Sequence, residues 1–360
     1  MLSLCAIPTL CFLLGAQKAA YQPRVDLDQG RFLKVLADAD ARLNKNDDDA
    51  LAWAAKSQAL NALMRLDEAE DAMLQALKLQ PNLPEALMAR GMVKASKALQ
   101  QRNLGSLFMV SQAMNDLRSA VKNDPNYALA WMTLGLGYQQ LPGPLGGSTK
   151  KALECADQLK RIQPARGDLL QAQILSMDGK WNEAEPIFKR ALDAAPGDPG
   201  IVTGYLDELG EKNAGKALGE TVQKQKLAVE AMRLLPRIRT RARGVEAVSL
   251  ALLNAGQDED SWKVALNALL DVDAPSIIRL QLGKVAARTG LHTKEGLAFL
   301  EQAAKEPMEG GTGGYATLHW RRGQILKKLG RLDEARNAAK KALSYDYNHR
   351  GAKELLNELG

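Results

Sequence analysis

Four alanines in this chain each precede a proline by the same twelve residues: Ala69–Pro81, Ala113–Pro125, Ala152–Pro164 and Ala184–Pro196. Twelve recurs between one small residue and the next in Ser57–Ala69, Ala172–Ala184, Ser249–Ser261 and Gly323–Ala335. Self-similarity of this kind marks a chain assembled from copies of one supersecondary unit rather than folded round a single core. The residue types say what the unit is. A small residue belongs where two helices cross closest, a large one fills the space beside it, and a proline closes the second helix. Aromatics make up only 5% of the 360 residues, apolar residues 46% and charged residues 25%. Those figures favour closely packed helices over sheets and argue against extensive disorder.

The stretch from Trp131 to Tyr138 opens one copy: Trp131, then Leu134-Gly135 three residues on, then Tyr138 three further. With the twelve-residue ruler, this resembles the tetratricopeptide (TPR) repeat, a hairpin of two helices in about 34 residues. The resemblance implies an all-α fold, a right-handed superhelical solenoid of TPR helix hairpins. Units fall near 50–83, 84–127, 128–164, 165–198, 242–275, 276–315 and 316–349. Trp53, Ser57, Ala69, Met73 and Pro81 hold the family positions of the first, and Trp181, Ala184 and Phe188 those of the fourth. Gly323, Gly330, Ala335 and Ala342 mark the last, where Tyr347 replaces the proline. Three units are stretched. Gly91–Ala113 is twenty-two, with an insertion around Gln100 to Leu107; Gly135–Ala152 is seventeen, with an insertion in Leu141 to Ser148; Gly283–Gly296 is thirteen.

The organisation that follows has four parts. Residues 1–20 read as a signal segment: Met1 to Gly15 is apolar and uncharged, too short to span a bilayer as a relaxed helix, with Ala16 as a cleavage edge. Residues 21–198 form an N-terminal array whose half-repeat cap is one helix over Gln29 to Asn46. Residues 199–241 do not fit the register. A short helix over Ile201 to Leu209 and a long amphipathic one over Ala217 to Leu235 make them a divergent pair or a joint between sub-arrays. Residues 242–360 form a second array, broken at the glycine-rich 308–314 and closed by a polar capping helix over Arg350 to Leu359.

No catalytic centre emerges. His292, His319 and His349 have no Cys or His at metal-ligand spacing, and Cys155 stands alone once the N-terminal segment is set aside. No cofactor and no metal is expected. Net charge is +6, and Arg233, Arg237, Arg239, Arg241 and Arg243 carry five of those charges in one acid-free stretch. No aromatics interleave with them, so nucleic acid is not an expected partner.

What remains is surface. The family resemblance implies that first helices line a concave groove holding a peptide or a partner's helix. The groove-facing phase of the register contains Gln58, Asn61, Met88, Met92, Met132, Gln139, Gln140, Arg166 and Gln173. Amides pair with an extended backbone, and methionine adapts to varied side chains. The Lys and Asn set with which cochaperone members hold a terminal carboxylate is absent. The inserted loop offers Gly146, Gly147, Ser148, Thr149 and Lys150 as an anion-binding nest. It also resembles the Pro…Gly-Gly-Ser insertion of periplasmic TPR proteins associated with TRAP-type solute transporters. The expectation is a non-enzymatic protein- or peptide-binding scaffold, periplasmic or secreted, meeting a membrane only through an uncleaved N-terminal segment. The alternatives are a transporter-associated component that helps deliver a small solute, and a cytoplasmic location. Self-association stays open.

Overall fold

The computed structural model describes residues 21–101, 104–309 and 311–360. Two helices, α1 (Pro23–Asp28) and α2 (Phe32–Leu43), lead into four hairpins: α3 (Ala50–Ala62) with α4 (Leu66–Leu79), α5 (Pro84–Gln101) with α6 (Leu104–Asn123), α7 (Ala128–Gln140) with α8 (Thr149–Ile162), and α9 (Pro164–Met177) with α10 (Trp181–Ala194). Helices α11 (Pro199–Gly210), α12 (Lys212–Leu218) and α13 (Glu220–Ile238) follow. Three more hairpins are α14 (Ala242–Asn254) with α15 (Asp258–Ala268), α16 (Pro275–Thr289) with α17 (Thr293–Ala303), and α18 (Gly311–Lys328) with α19 (Leu332–Tyr345). Helix α20 (Arg350–Leu359) ends the array. There is no strand among the described residues; the fold is an all-α solenoid of hairpins.

The small residues of the ruler sit at the helix crossings. Ser57 Oγ donates to the Ala69 carbonyl at 2.7 Å across α3 and α4. A Cβ on Gly91 would stand 3.1 Å from the Ala113 carbonyl oxygen, one on Gly135 3.5 Å from that of Ala152, and one on Gly323 3.2 Å from that of Ala335. In α14 and α15 the same approach is made by two serines: Ser249 Oγ donates to the Ser261 carbonyl at 2.9 Å, and Ser261 Oγ to the Ser249 carbonyl at 2.7 Å. One geometry thus survives spacings of twelve, seventeen and twenty-two, because each insertion lengthens the hairpin and leaves its crossing alone. The thirteen-residue pair differs. A Cβ on Gly296 would meet the Ala286 Cβ at 2.3 Å and one on Gly283 would meet Leu300 Cδ2 at 2.2 Å, so the two glycines face opposite helices rather than each other.

Four of the turns inside the hairpins share one design. The second residue after the first helix takes a left-handed conformation and is Gly179 (φ +79°), Gly256 (φ +80°) or Gly330 (φ +76°); in the first hairpin it is Met64 (φ +59°). The next amide then reaches back five residues, Arg65 N to the Leu60 carbonyl and Lys180 N to that of Leu175, both at 2.9 Å.

Residues 199–238 join the array without a gap in the core. Trp181, Phe188 and Tyr205 form one buried ring cluster with centroids 5.5 to 6.5 Å apart. The apolar core from Leu169 to Leu359 runs through Leu227, Ala231, Leu234 and Ile238 without interruption. The long helix expected from Ala217 begins at Glu220 instead. Gly219, at φ +84°, ends α12 there and turns the chain. The half-repeat helix expected from Gln29 begins at Phe32, because Gly30 (φ +70°) closes the separate turn α1. The glycine-rich break is shorter than expected, with α18 starting at Gly311. The signal segment lies outside the described residues. No helix among those described is long and apolar enough to cross a membrane.

Candidate partner-binding groove

First helix α3 packs on α5, and α7 on α9, and the nine residues of the groove-facing phase are distributed along these four helices. Three are spent on the fold. Gln58 is 1% exposed; its Nε2 donates to the Glu85 carbonyl at 3.0 Å and its Oε1 accepts from the Tyr127 hydroxyl at 3.2 Å. Met88 is fully buried beside Leu87 and Tyr127. Asn61 is 6% exposed, and its Oδ1 has no hydrogen-bond partner among the described residues. The register placed these three on an open wall. They are interior because neighbouring first helices and the turns before them close over them. Met92 and Met132 are half-buried against the core of the second and third hairpins. Gln139 is half-buried, Gln140 is exposed and Gln173 is half-buried against Gly204. Arg166 is held between two carboxylates, Asp198 at 3.0 Å and Asp28 at 3.3 Å.

Asp28 belongs to α1, and that is the unexpected feature. Residues 23–29 lie against the first helices like a bound strap. The Arg24 guanidinium donates through Nε to Glu85 Oε1 at 2.9 Å and through Nη1 to Asp124 Oδ2 at 2.6 Å, and it sits 3.9 Å over the ring of Tyr127. Leu27 is buried with Ala55, Ala59 and Leu129. Asp28 shares a closed crevice with Met132, Gln163 and Arg166. Gln29 Oε1 accepts from Arg241 at 3.2 Å. Burial pushes the Asp28 carboxyl above its usual range, against the pull of Arg166; burial likewise pushes the Tyr127 phenol up.

Past the strap the array coils until the loop after α17 returns to its beginning. Glu309 Oε2 accepts from the Leu33 amide at 3.1 Å, at the otherwise uncapped start of α2. Beside this contact is a cavity of about 270 Å³ walled by Gly30, Arg31, Arg241, Arg243, Ile277 and Glu309. Two members of the acid-free stretch therefore serve this contact region. Arg233 pairs with Glu230 and Arg243 with Glu246.

Three of the five amides of the expected anion nest are already bonded within the protein. A 3-10 turn spans Gly143–Leu145, and Gly146 follows at φ +92°. Gly146 N donates to the Gly143 carbonyl, Gly147 N to that of Pro142 and Ser148 N to that of Tyr138, at 2.8 to 3.1 Å. Ser148 caps α8 through Lys151 N, with Thr149 and Lys150 as its first helical residues, and Lys151 lies over the ring of Tyr138. Gly147 is required by space, since a Cβ there would fall 1.7 Å from the Leu141 carbonyl oxygen.

Cys155 is buried, and burial pushes its thiol up to about 12. No group of three His, Cys, Asp or Glu among the described residues could hold a metal ion. The strap is what sequence reasoning missed. Its signals were Pro23, which opens a helical turn, and the paired charges Arg24 and Asp28 flanking Leu27.

Two segments, 50–83 and 316–349, match the sequence family described as tetratricopeptide repeat. No curated protein matches the chain. Among solved structures, yeast Tom70 superposes with a TM-score of 0.52 at 14% identity, covering 91% of this chain and 68% of that one, a likeness of fold alone. The APC/C hetero-tetramer Cut9-Hcn1 gives 0.43 at 15% identity over 89% of this chain, which spans only 57% of the chain it matches. A tetratricopeptide repeat protein from Parabacteroides merdae gives 0.37 at 16% identity, covering 94% of this chain and 95% of that one.

Proposed function

We propose that this chain, two segments of which match the tetratricopeptide-repeat family, is a non-enzymatic scaffold that binds a protein segment along the first helices of its N-terminal hairpins. The observation that carries the reading is the set of charged side chains built into that face. Glu85 is 8% exposed, and Asp124 and Arg166 are partly buried, each committed to a partner that reaches it from outside its own hairpin. Charges held at this depth discriminate strongly between segments that complete them and segments that do not. Met92, Gln139 and Gln173 then supply adaptable contacts at the margins.

The test is capture of the native partner by tagged full-length protein and by a Met92→Ala, Gln139→Ala, Gln173→Ala variant. Affinity for the captured protein, purified, should fall at least tenfold in the variant, and unchanged affinity would remove the groove from consideration. Export is part of the reading and rests on the apolar run Met1 to Gly15. Its check is the intact mass of protein purified from its native source. Loss of a segment ending near Ala16 agrees with export, and retention of Met1 does not.

A further inference from the structure

Every contact of α1 is one that a foreign segment could make. Glu85 opens α5 and Asp124 directly follows α6, at the two ends of one hairpin, and the ring of Tyr127 lies beneath them; the three together frame a guanidinium. A guanidinium suits this frame, because its planar fork can donate to two carboxylates while its face lies on a ring. Glu85 cannot stay in place uncompensated, because its side chain is only 10% exposed. One helical turn further along, Arg166, already paired with Asp198, takes a second acid, and between the two the alanines Ala55 and Ala59 leave a shallow seat filled by Leu27. Helix α1 has six residues, too few to hold a helix by itself. It is tied to the array through Gly30, a left-handed hinge, and its grip consists of ion pairs, the buried Pro23 and Leu27 rather than a broad apolar face. Such an element opens at less cost than the hairpins under it.

We propose that residues 23–29 are a built-in occupant of the groove, and that the partner is a protein segment of the same chemistry: an arginine, an apolar residue three positions on and an acid beside that residue, on one helical turn. This deepens the scaffold reading and rests on it. Binding is then an exchange, in which the partner's arginine replaces Arg24 between Glu85 and Asp124 while the strap swings out on Gly30.

The test uses the full chain and a fluorescein-labelled peptide with the sequence of residues 21–31. An Arg24→Ala, Leu27→Ala, Asp28→Ala variant, whose own strap no longer fits, should take up the peptide at least tenfold more tightly than the wild type. Adding Glu85→Gln and Asp124→Asn should abolish the gain, and a scrambled peptide should not bind. Equal uptake by variant and wild type, or of the scrambled peptide, overturns the proposal. Should the triple variant fail to fold, hydrogen exchange on the wild type decides. Strap amides that exchange through an opening far smaller than global unfolding support exchange of occupants. Strap amides protected as strongly as α7 and α9 overturn it. Peptide uptake needs no native partner, so a partner that ignores the groove substitutions would defeat the scaffold site while leaving the strap result standing.

Discussion

A Cβ on Gly135 would stand 2.8 Å from Leu170 Cδ2 and 3.1 Å from Cys155 Cβ, with helix on both sides to resist it. Gly135→Ala is therefore expected to cost about 1–3 kcal/mol in denaturant unfolding. Gly143→Ala, only eight residues along the chain but with nothing within 4 Å, should leave the midpoint unchanged. His319 makes a second residue-scale prediction. Its ring is stacked on Tyr345, its Nδ1 is buried without a partner, and burial together with Arg322 and Lys341 holds its pKa down at about 4. The unfolded chain takes up that proton near 6.5. His319 thus contributes stability that is fully present above pH 6.5 and is lost as pH falls towards 4. Allowing for partial exposure, the loss is on the order of 2 kcal/mol. Wild type should lose that much more stability between pH 7 and 4.5 than His319→Phe does, read from urea midpoints. At this scale the sequence was informative where size alone mattered. Ala69, Ala152 and Ala335 could be placed at crossings because a crossing admits nothing larger. Gln58 could not be placed, since a glutamine at a groove-phase position looks the same whether it meets solvent or the Tyr127 hydroxyl.

Hairpin turns show how an element can carry a fault that its neighbours lack. Gly179, Gly256 and Gly330 occupy the left-handed position, whereas Met64 occupies it in the first hairpin at φ +59°. A side chain costs roughly 1–2 kcal/mol in that conformation, and the glycine that relieves it gives back part in unfolded-chain entropy. Met64→Gly should therefore raise stability by roughly 1 kcal/mol, seen as a higher midpoint for the first hairpin. Gly179→Met should lower it by a similar amount. Helices within hairpins were legible because apolar period, caps and prolines agree. The stretch from 199 to 241 was legible only as an exception to the register. Its helices are divided by Gly219 and fastened by Gln223, whose amide donates to the carbonyls of Leu209 and Glu211 at 2.7 and 2.8 Å. Those contacts follow no repeat. The strap was invisible for a related reason: six residues have no period to read, and their place is set by Glu85, Asp124 and Arg166, which are 61, 100 and more than 130 residues away in sequence.

A solenoid whose units touch only their neighbours transmits nothing between its ends, and its stability is a sum of local terms. Contacts in this molecule break that rule, Gln29 with Arg241 among them, and one of them joins the start of α2 to the loop after α17. Glu309, in the loop after α17, accepts from the Leu33 amide at the start of α2, 276 residues away. Burial raises the Glu309 carboxyl above its usual range while the Leu33 and Phe32 amides and Arg243 draw it down, so the acid is held in place by the helix start it caps. Removing an N-terminal cap costs about 1 kcal/mol. Here the loss falls on the link between the two ends. In Glu309→Ala the amides of α2 should exchange about fivefold faster, while those of α14 and α16 keep their rates. Scattering should report a larger maximum dimension as the coil relaxes. Glu309→Gln keeps an acceptor and should restore most of the protection. If α2 exchanges at the wild-type rate in Glu309→Ala, the two ends are merely adjacent and the array is the sum of its hairpins. If it speeds up, displacement of the strap will also be felt at Glu309, because α2 follows α1 directly through Gly30 and cannot move without releasing its cap.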